Sequence, residues 1–246
     1  GNGKSGFDMM KIILAGYGKM GKQIESAALA YMDIEVLRII DIENIDELEK
    51  GEKADVIIDF SHPDMTDRTS AYAKSSGTAL VCGTTGLDDS LLERLRELGS
   101  SVPVIYSSNY SFGVAVFEHI LSELKEVFDD SWDIELVETH HNQKIDAPSG
   151  TAKKLLDALD PEGMYKKVYG REGMTGARTT KEIGVHSLRG GTVAGEHSVS
   201  FFGKDEEFQI VHKAASRQIF AEGALKAARV LCKKAPGYYT LRELLF

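Results

Sequence analysis

KIILAGYGKMG, residues 11–21, places a short apolar strand directly before a GxGxxG motif. In a dinucleotide-binding loop the first glycine permits a tight turn, the second lets a pyrophosphate approach the backbone, and the third lets helix pack on strand. Free N–H groups at the start of the helix bind the pyrophosphate. We therefore assign the whole loop to a nucleotide: Gly16, Tyr17, Gly18, Lys19, Met20 and Gly21.

An acidic residue, Asp41, ends the second predicted strand, residues 34–40, and lies 20 residues after Gly21. A carboxylate at this point accepts hydrogen bonds from the adenosine ribose hydroxyls. Alternatively, Asp41 is only a turn residue. The carboxylate would also repel a 2′-phosphate, and residues 42–49 contain no Lys or Arg. We expect NADH to serve at least as well as NADPH.

Strands and helices alternate along residues 55–106, which predicts a parallel, doubly wound sheet of Rossmann type. The segment CGTTG follows the strand that ends at Cys82. Because ligands bind at the carboxyl ends of the strands in such sheets, Gly83, Thr84 and Thr85 are candidates to hold the nicotinamide. A strand-end GTTG is also often just a turn.

Strands dominate the middle of the chain, so we predict an α+β domain with an open mixed sheet there. A long helix is predicted over residues 112–128, and residues 161–182 read as a long mobile loop. The buried stripe of that helix is predicted to contain Val116, Phe117, Ile120, Leu121, Leu124 and Phe128. An Ala-rich helix over 216–233 resembles the helices of the first half. The nucleotide domain is therefore predicted as residues 11–110 with 216–246, and the substrate and oligomerisation domain as 111–215.

Composition excludes several classes of function. The formal charge of −9 lacks the basic surplus of a general nucleic-acid binder, and no apolar run reaches the roughly 18 residues of a membrane span. The only cysteines, Cys82 and Cys232, lie outside any CxxC or metal-type cluster, so we expect free thiols, a reducing cytoplasm and no metal. Residues 1–10 are expected to be a disordered leader, with the natural start at Met9 or Met10.

The most informative segment is ETHHNQKIDAPSGTA, residues 138–152. His140 and Lys144 can deliver a proton and a positive charge to one pocket. Ser149 is a plausible N-cap for a helix beginning with Gly150 and Thr151, whose free N–H groups would bind a carboxylate. Alternatively, the histidine pair is structural and the lysine is solvated.

This segment closely resembles the signature of the 4-hydroxy-tetrahydrodipicolinate reductase family, also called dihydrodipicolinate reductase. The nucleotide loop and several later stretches resemble that family's motifs in the same order. The resemblance implies reduction of a cyclic dicarboxylate by NADH or NADPH in the diaminopimelate route to lysine, and a homotetramer formed through the sheet of the substrate domain.

The resemblance also implies roles for individual residues. His140 matches a proton donor, Lys144 a carboxylate-binding lysine that assists protonation, and His141 a substrate contact. Ser149, Gly150 and Thr151 match the carboxylate cradle. Residues that match cofactor contacts are Phe60, Ser61, Gly83, Thr84, Thr85, Ser108, Asn109, Tyr110 and Arg217.

The sequence departs from the family pattern in the nucleotide loop. GYGKMG is one residue shorter than the common GxxGRMG, and Lys19 stands where Arg is usual. Two other hypotheses remain: another two-domain amino-acid or keto-acid dehydrogenase, and a nicotinamide-binding module without catalysis. Residues 140–204 nevertheless contain ten basic and seven acidic residues, which gives a local positive field suited to an anionic substrate.

Overall fold

The computed structural model describes residues 8–246. The first elements are β1 (Met10–Ala15), α1 (Lys19–Leu29), β2 (Ile34–Ile40), β3 (Val56–Asp59), α2 (Pro63–Ser76), β4 (Ala79–Cys82), α3 (Asp89–Leu98) and β5 (Pro103–Tyr106). The middle elements are α4 (Phe112–Leu124), β6 (Asp133–His140), α5 (Gly150–Leu159), β7 (Lys166–Tyr169), β8 (Glu182–Arg189), β9 (Glu196–Gly203) and β10 (Glu206–Lys213). The last are α6 (Gln218–Leu231), β11 (Gly237–Tyr239) and α7 (Leu241–Leu245).

The chain divides into two compact units. The first contains the described residues up to Ser111 together with Gln218–Phe246, and the second is Phe112–Arg217. Helix α6, near the end of the chain, belongs to the first unit, where it packs against α1 and β4. Compared with the predicted limits, Ser111 moves into the first unit and residues 216–217 move into the second.

The first unit is built on six parallel strands in the order β11-β5-β4-β3-β1-β2. Strands β3 and β4 are buried along their whole length, as expected where helices cover both faces of a sheet. Chain order reverses between β1 and β3, and such a switch point is where open α/β sheets bind ligands at the carboxyl ends of the strands. The Rossmann-type prediction is confirmed.

The sequence missed the edge strand β11, which pairs with β5. It has only three half-buried residues and so carries almost no periodic signal. At the other end of the chain, residues 1–7 of the expected leader lie outside the described residues. The expected disorder is wrong for Met10, which begins β1 and is 7% exposed, because its side chain joins the core.

The second unit carries a five-stranded sheet in the order β10-β9-β6-β8-β7. The pairs β10–β9 and β9–β6 are antiparallel, whereas β6–β8 and β8–β7 are parallel. The predicted open mixed sheet is therefore confirmed. One face of the sheet packs with helices α4 and α5 around Leu136, Val199 and Phe201. The prediction of a loop over all of residues 161–182 is wrong, because this stretch contains β7, which forms a parallel pair with β8.

Helix α4 is shorter than predicted and buries a slightly different stripe. It ends at Leu124 instead of Phe128. Val116 is 39% exposed, whereas Val114 is buried together with Phe117 and Leu121. Val116 lies one helical turn before the half-buried Ile120 at the edge of the stripe, so its predicted burial is wrong. Of the helices in residues 8–246, none has the length and hydropathy needed to cross a bilayer.

Candidate active site

The glycines of the nucleotide loop differ in the space around them. Gly16 has φ +94°, and a Cβ there would lie 2.1 Å from the Phe60 carbonyl oxygen. A Cβ at Gly21 would lie 2.1 Å from the Gly16 oxygen, so only glycine allows α1 this close to the end of β1. Around Gly18 no described atom comes within 4 Å of the Cβ position. The tight turn and the close helix packing predicted for Gly16 and Gly21 are confirmed.

The start of α1 is open to an anion. Gly18 is the N-cap residue, and within the described chain no side chain caps this helix end. Tyr17, Gly18 and Lys19 are exposed, and Met20 is half-buried. Since the first N–H groups of a helix lack intrahelical acceptors and carry its positive end, this loop fits a pyrophosphate.

Asp41 builds the turn that follows β2. Its Oδ1 accepts hydrogen bonds from the backbone N–H groups of Glu43 (2.9 Å) and Asn44 (3.2 Å), and the Asn44 side chain accepts from the Asp41 N–H at 2.7 Å. Asp41 is therefore a turn residue, as the alternative interpretation predicted. The same turn fixes the carboxylate at the carboxyl end of β2, where ribose binding requires it, and that role stays a prediction.

A buried carboxylate, Asp59, joins the two loops after β3 and β4. It is 0% exposed and accepts hydrogen bonds from the hydroxyls of Ser61, Thr69 (2.7 Å) and Thr84 (3.1 Å). Burial raises the pKa of the Asp59 carboxyl, and these hydroxyl donors offset only part of that rise. The Ser61 N–H also donates to Thr84 Oγ1 at 3.0 Å. Sequence reasoning missed Asp59, although an acid inside the apolar run DVIIDF is an available signal.

This network places the predicted cofactor residues Ser61, Thr84 and Thr85 on adjoining loops. Thr85 is exposed and Ser61 is half-buried, so both side chains are accessible. Thr84 is 2% exposed, and its hydroxyl is used inside the protein. The Thr84 side chain thus supports the loop from inside the protein, and the predicted place of this residue in the cofactor site stays a prediction.

Phe60 lies between the same loops. A Cβ at Gly83 would lie 2.1 Å from the Phe60 ring, so Gly83 is required for this close packing. The ring also meets Tyr110 edge-to-face at 5.6 Å between centroids. Tyr110 is 1% exposed and donates its hydroxyl to the Cys82 carbonyl at 2.5 Å. The Tyr110 side chain is thus enclosed by the core that it supports, and the predicted place of this residue in the cofactor site stays a prediction.

The other predicted cofactor residues occupy different settings. Ser108 is exposed and Asn109 is half-buried. Asn109 shapes the loop after β5 by accepting a hydrogen bond from the Ser111 N–H at 2.8 Å. Arg217 is exposed and directly precedes α6, within the second unit.

In the second unit, two side chains near the end of strand β6, Glu138 and His140, lie next to each other in the candidate site. Glu138 is 0% exposed, and both terminal nitrogens of Arg189 donate to it at 2.9 Å. Its Oε1 also accepts from the Ser149 N–H at 3.1 Å, and its Oε2 lies 2.6 Å from His140 Nδ1. Burial alone would raise the pKa of Glu138, but Arg189 and His140 outweigh it and hold that pKa at about 2. Glu138 is therefore ionised at neutral pH.

His197 supports the same spot from β9. Its Nε2 is hydrogen-bonded to Ser149 Oγ at 2.7 Å, and its ring meets the His140 ring edge-on at 5.2 Å. Burial, together with the nearby His140, lowers the pKa of His197 to about 4, so this ring is neutral at pH 7. Ser149 Oγ in turn accepts from the Ala152 N–H at 3.0 Å, which confirms Ser149 as the N-cap of α5.

The loop between β6 and α5 carries the remaining substrate candidates. Lys144 Nζ lies 2.7 Å from Asp146 Oδ1, and this partner lowers the pKa of Asp146. His141 is half-buried, and its N–H donates to the Val193 carbonyl at 2.8 Å. Gly150 is exposed at the first position of α5, with no described atom within 4 Å of its Cβ position. Thr151, half-buried, follows it. A helix start, a lysine and two histidines thus share one short segment.

The donor set at this site fits a hydrogen-bond network better than a metal. Glu138, His140 and His197 offer ligand atoms that lie within 4.8 Å of one another. Both Glu138 oxygens, however, already accept hydrogen bonds from Arg189. A metal ion would have to displace that guanidinium or remain beside its positive charge.

Comparisons with known proteins agree across the chain. A family model described as "Dihydrodipicolinate reductase, N-terminus" matches residues 10–110, and one described as "Dihydrodipicolinate reductase, C-terminus" matches residues 113–245. The 4-hydroxy-tetrahydrodipicolinate reductase of Exiguobacterium sibiricum is 40% identical over 243 residues, 96% of each chain. That of Brachyspira hyodysenteriae is 40% identical over 240 residues, 96% of this chain and all of its own.

Solved structures share the fold. A dipicolinate-bound dihydrodipicolinate reductase from Paenisporosarcina sp. TG-14 superimposes with a TM-score of 0.77 at 22% identity, covering 94% of this chain and 97% of its own. A diaminopimelate (DAP) dehydrogenase from C. glutamicum gives a TM-score of 0.56 at 12% identity, covering 97% and 96%. At these identities the likeness concerns the fold.

Proposed function

The chain belongs to the dihydrodipicolinate reductase family, and we propose that it reduces 4-hydroxy-tetrahydrodipicolinate to tetrahydrodipicolinate with NADH or NADPH, in lysine and diaminopimelate biosynthesis. The observation that carries the proposal is the HHxxK…APSGTA segment, which spans the end of β6, the following loop and the start of α5. It supplies a proton donor, a cation and a helix N-terminus, three groups suited to reducing a dicarboxylate.

The first unit is the proposed site of the pyridine nucleotide. Backbone N–H groups at the start of α1 would hold the pyrophosphate beside Gly18, where the structure leaves room for close approach. Asp41 would accept hydrogen bonds from ribose hydroxyls. Phe60, Ser61, Gly83 and Thr85 would shape the nicotinamide end. When bound, NAD(P)H supplies the hydride.

The acidic segment after β2 favours NADH. Residues 41–49 contain five acidic side chains and no Lys or Arg, so a 2′-phosphate near Asp41 would meet repulsion without a compensating cation. We propose that NADH is used at least as efficiently as NADPH. Comparing kcat/KM for the two cofactors tests this, and a large preference for NADPH would contradict it.

The second unit is the proposed site of the dicarboxylate. Lys144 would bind one carboxylate and assist protonation, with His141 as a further contact. Ser149, Gly150 and Thr151 would hold a carboxylate at the start of α5, where the positive end of the helix dipole favours an anion. His140 would deliver the proton, which contributes roughly 10²–10⁴-fold for a positioned general acid.

Assembly and location belong to the same proposal. The sheet face opposite α4 and α5 exposes large apolar side chains, with Leu188 at 49%, Val211 at 47% and Phe202 at 39%. Exposed apolar surface of this kind is typical of subunit contacts, and it supports a homotetramer formed through this face. Both cysteines are free thiols, which supports a cytoplasmic location.

A direct assay tests the function. Freshly generated 4-hydroxy-tetrahydrodipicolinate should oxidise NADH only in the presence of the protein, and pyridine-2,6-dicarboxylate should compete. Lys144→Ala should cut turnover by orders of magnitude while NADH affinity stays unchanged. Lys204→Ala, which removes an exposed lysine from the β9–β10 turn, is the matched control and should retain wild-type turnover.

The outcomes separate the hypotheses. NADH binding without turnover would favour a non-catalytic nicotinamide-binding module. Turnover only with an amino acid or another keto acid would favour a different two-domain dehydrogenase. Wild-type turnover in Lys144→Ala would remove the assigned role of that lysine.

A further inference from the structure

Glu138 is the residue of the second unit that makes hydrogen bonds to the most parts of the proposed substrate site. It lies two residues before His140 on β6, so both side chains point to the same face of the sheet. Its carboxylate connects His140 with Arg189 of β8 and with the Ser149 N–H at the start of α5. A residue that bonds to both the proton donor and the carboxylate cradle can fix their relative positions.

The ionised state of Glu138 determines which nitrogen of His140 carries a proton. A carboxylate without a proton can only accept hydrogen bonds. The 2.6 Å contact with His140 Nδ1 therefore requires a hydrogen on Nδ1. In the neutral ring the second nitrogen, Nε2, is then free of a proton, and in the charged ring Nε2 holds the proton that can be given away.

The surroundings of Nε2 fit this assignment. The turn 190–195 is held against the end of β6 by hydrogen bonds from the Gly190 N–H to the His140 carbonyl (3.0 Å) and from the His141 N–H to the Val193 carbonyl (2.8 Å). This arrangement puts Gly195 next to the ring, where a Cβ would lie 3.1 Å from Nε2. Glycine at this position leaves room beside the nitrogen that Glu138 does not occupy.

We propose that Glu138 is a positioning residue, which holds the His140 proton on Nδ1 and thereby directs Nε2 to the substrate. Gly195 keeps the space beside Nε2 open. Glu138 also ties the ring to Ser149, so the proton donor and the carboxylate cradle move as one body. The inference rests on the proposed function, because it takes His140 as the proton donor.

The test variant is Glu138→Gln, which keeps the length and one oxygen of the side chain. Arg189 would continue to donate to the remaining oxygen. The amide nitrogen of the glutamine would then face His140 Nδ1 and donate a hydrogen bond to it. We expect the neutral His140 ring to change to the form protonated on Nε2. Long-range ¹H–¹⁵N spectra at high pH, with His140 identified by its loss in His140→Asn, report this change without any turnover.

Kinetics provide the second measurement. With the wrong nitrogen protonated, kcat should fall at least about 100-fold, because both the general acid and its orientation are affected. NADH affinity should stay at the wild-type value, and KM for the dicarboxylate should change less than about three-fold. A role confined to folding would lower the melting temperature and leave the tautomer unchanged in the folded fraction.

Asp160→Asn is the matched control. Asp160 is also a buried carboxylate, 7% exposed and paired with Lys167, and it lies at the opposite end of α5 from Ser149. The control should lose stability but keep the kcat and the Nδ1-protonated form of His140. Gly195→Ala changes none of the residues that bond to Glu138, and the φ of +155° at Gly195 adds backbone strain that a melting temperature would report. This variant should lower kcat about ten-fold by crowding Nε2, with the tautomer unchanged.

These outcomes distinguish a failed inference from a failed function. Wild-type protein without turnover would reject the proposed function and leave the tautomer result standing. An active wild type whose Glu138→Gln variant keeps both kcat and the Nδ1-protonated ring would overturn the positioning role. Unchanged kcat in Gly195→Ala would overturn the assignment of Nε2 as the delivering atom.

Discussion

Acidification should destabilise the second unit chiefly through His197. This ring is 4% exposed, and burial with the nearby His140 lowers its pKa to about 4, against 6.5 for an unperturbed histidine. At a pH between these two values, His197 is protonated in the unfolded chain and neutral in the folded chain. The contribution of His197 to the free energy of unfolding is therefore fully present at neutral pH and is lost as the pH falls from about 6.5 to about 4.

The size of this effect follows from the two pKa values. The difference between 6.5 and about 4 corresponds to about 3 kcal/mol of unfolding free energy for one residue. His212, whose pKa burial also lowers, adds a contribution of the same sign. Replacing His197 with Asn should remove most of the loss, because Asn does not titrate in this range.

Urea unfolding at several pH values between about 7 and 4.5 measures the effect. Trp132 is the only tryptophan and packs against Phe128 in the second unit, at 4.6 Å between ring centroids, so its fluorescence reports on the unit that contains His197. The quantity to compare is the slope of unfolding free energy against pH at fixed protein concentration, since His197→Asn also loses the bond to Ser149 at every pH.

The control is Gln209→Ala, which removes a side chain without a titrating group from β10 of the same unit and should keep the wild-type slope. The reasoning is refuted if His197→Asn shows the same pH slope as the wild type. In that case another group would carry the acid sensitivity, and the buried neutral state of His197 would be wrong.

Four further substitutions have expected outcomes. Gly16→Ala should lower the melting temperature by several degrees, because its Cβ would lie 2.1 Å from a backbone oxygen and the backbone there has φ +94°. Gly18→Ala should keep the wild-type melting temperature and weaken only NADH binding, which calorimetry would measure. Asp41→Asn should raise the ratio of kcat/KM with NADPH to that with NADH about five-fold, since a charge worth about 1 kcal/mol is removed; an unchanged ratio would place the 2′-position elsewhere. Asp146→Asn should strengthen pyridine-2,6-dicarboxylate binding about five-fold, because Lys144 loses its partner at 2.7 Å, and weaker binding would contradict that role for Lys144.

The features that the sequence predicted well depend on local geometry. Gly16 and Gly21 are required by the backbone immediately around the loop, and Ser149 caps the helix that follows it directly. Because these requirements act between residues close together in the chain, they appear in the sequence as motifs of fixed spacing. The Rossmann-type alternation is equally readable, because buried parallel strands are apolar throughout.

Glu138 and Asp59 could not be predicted in the same way, because their roles depend on partners far along the chain. Arg189 lies 51 residues after Glu138, and Thr84 lies 25 residues after Asp59. Strand pairing brings them together: the β6–β8 register places Glu138 and His140 opposite Ser187 and Arg189. Without that register, a glutamate two residues before a histidine is one polar residue among many.

The buried carboxylates of Glu138 and Asp59 differ in a way that suits the two proposed ligands. Glu138 has a guanidinium partner that holds it ionised, so it can orient His140 as the proposed proton donor to an anionic substrate. The Asp59 carboxylate accepts hydrogen bonds from the hydroxyls of Ser61, Thr69 and Thr84, and burial raises its pKa. The proposed nicotinamide loop needs a fixed shape more than a titrating group, and neutral donors fix that shape without a strong local field. It follows that Asp59→Asn should affect cofactor affinity and stability, whereas Glu138→Gln should affect the chemical step.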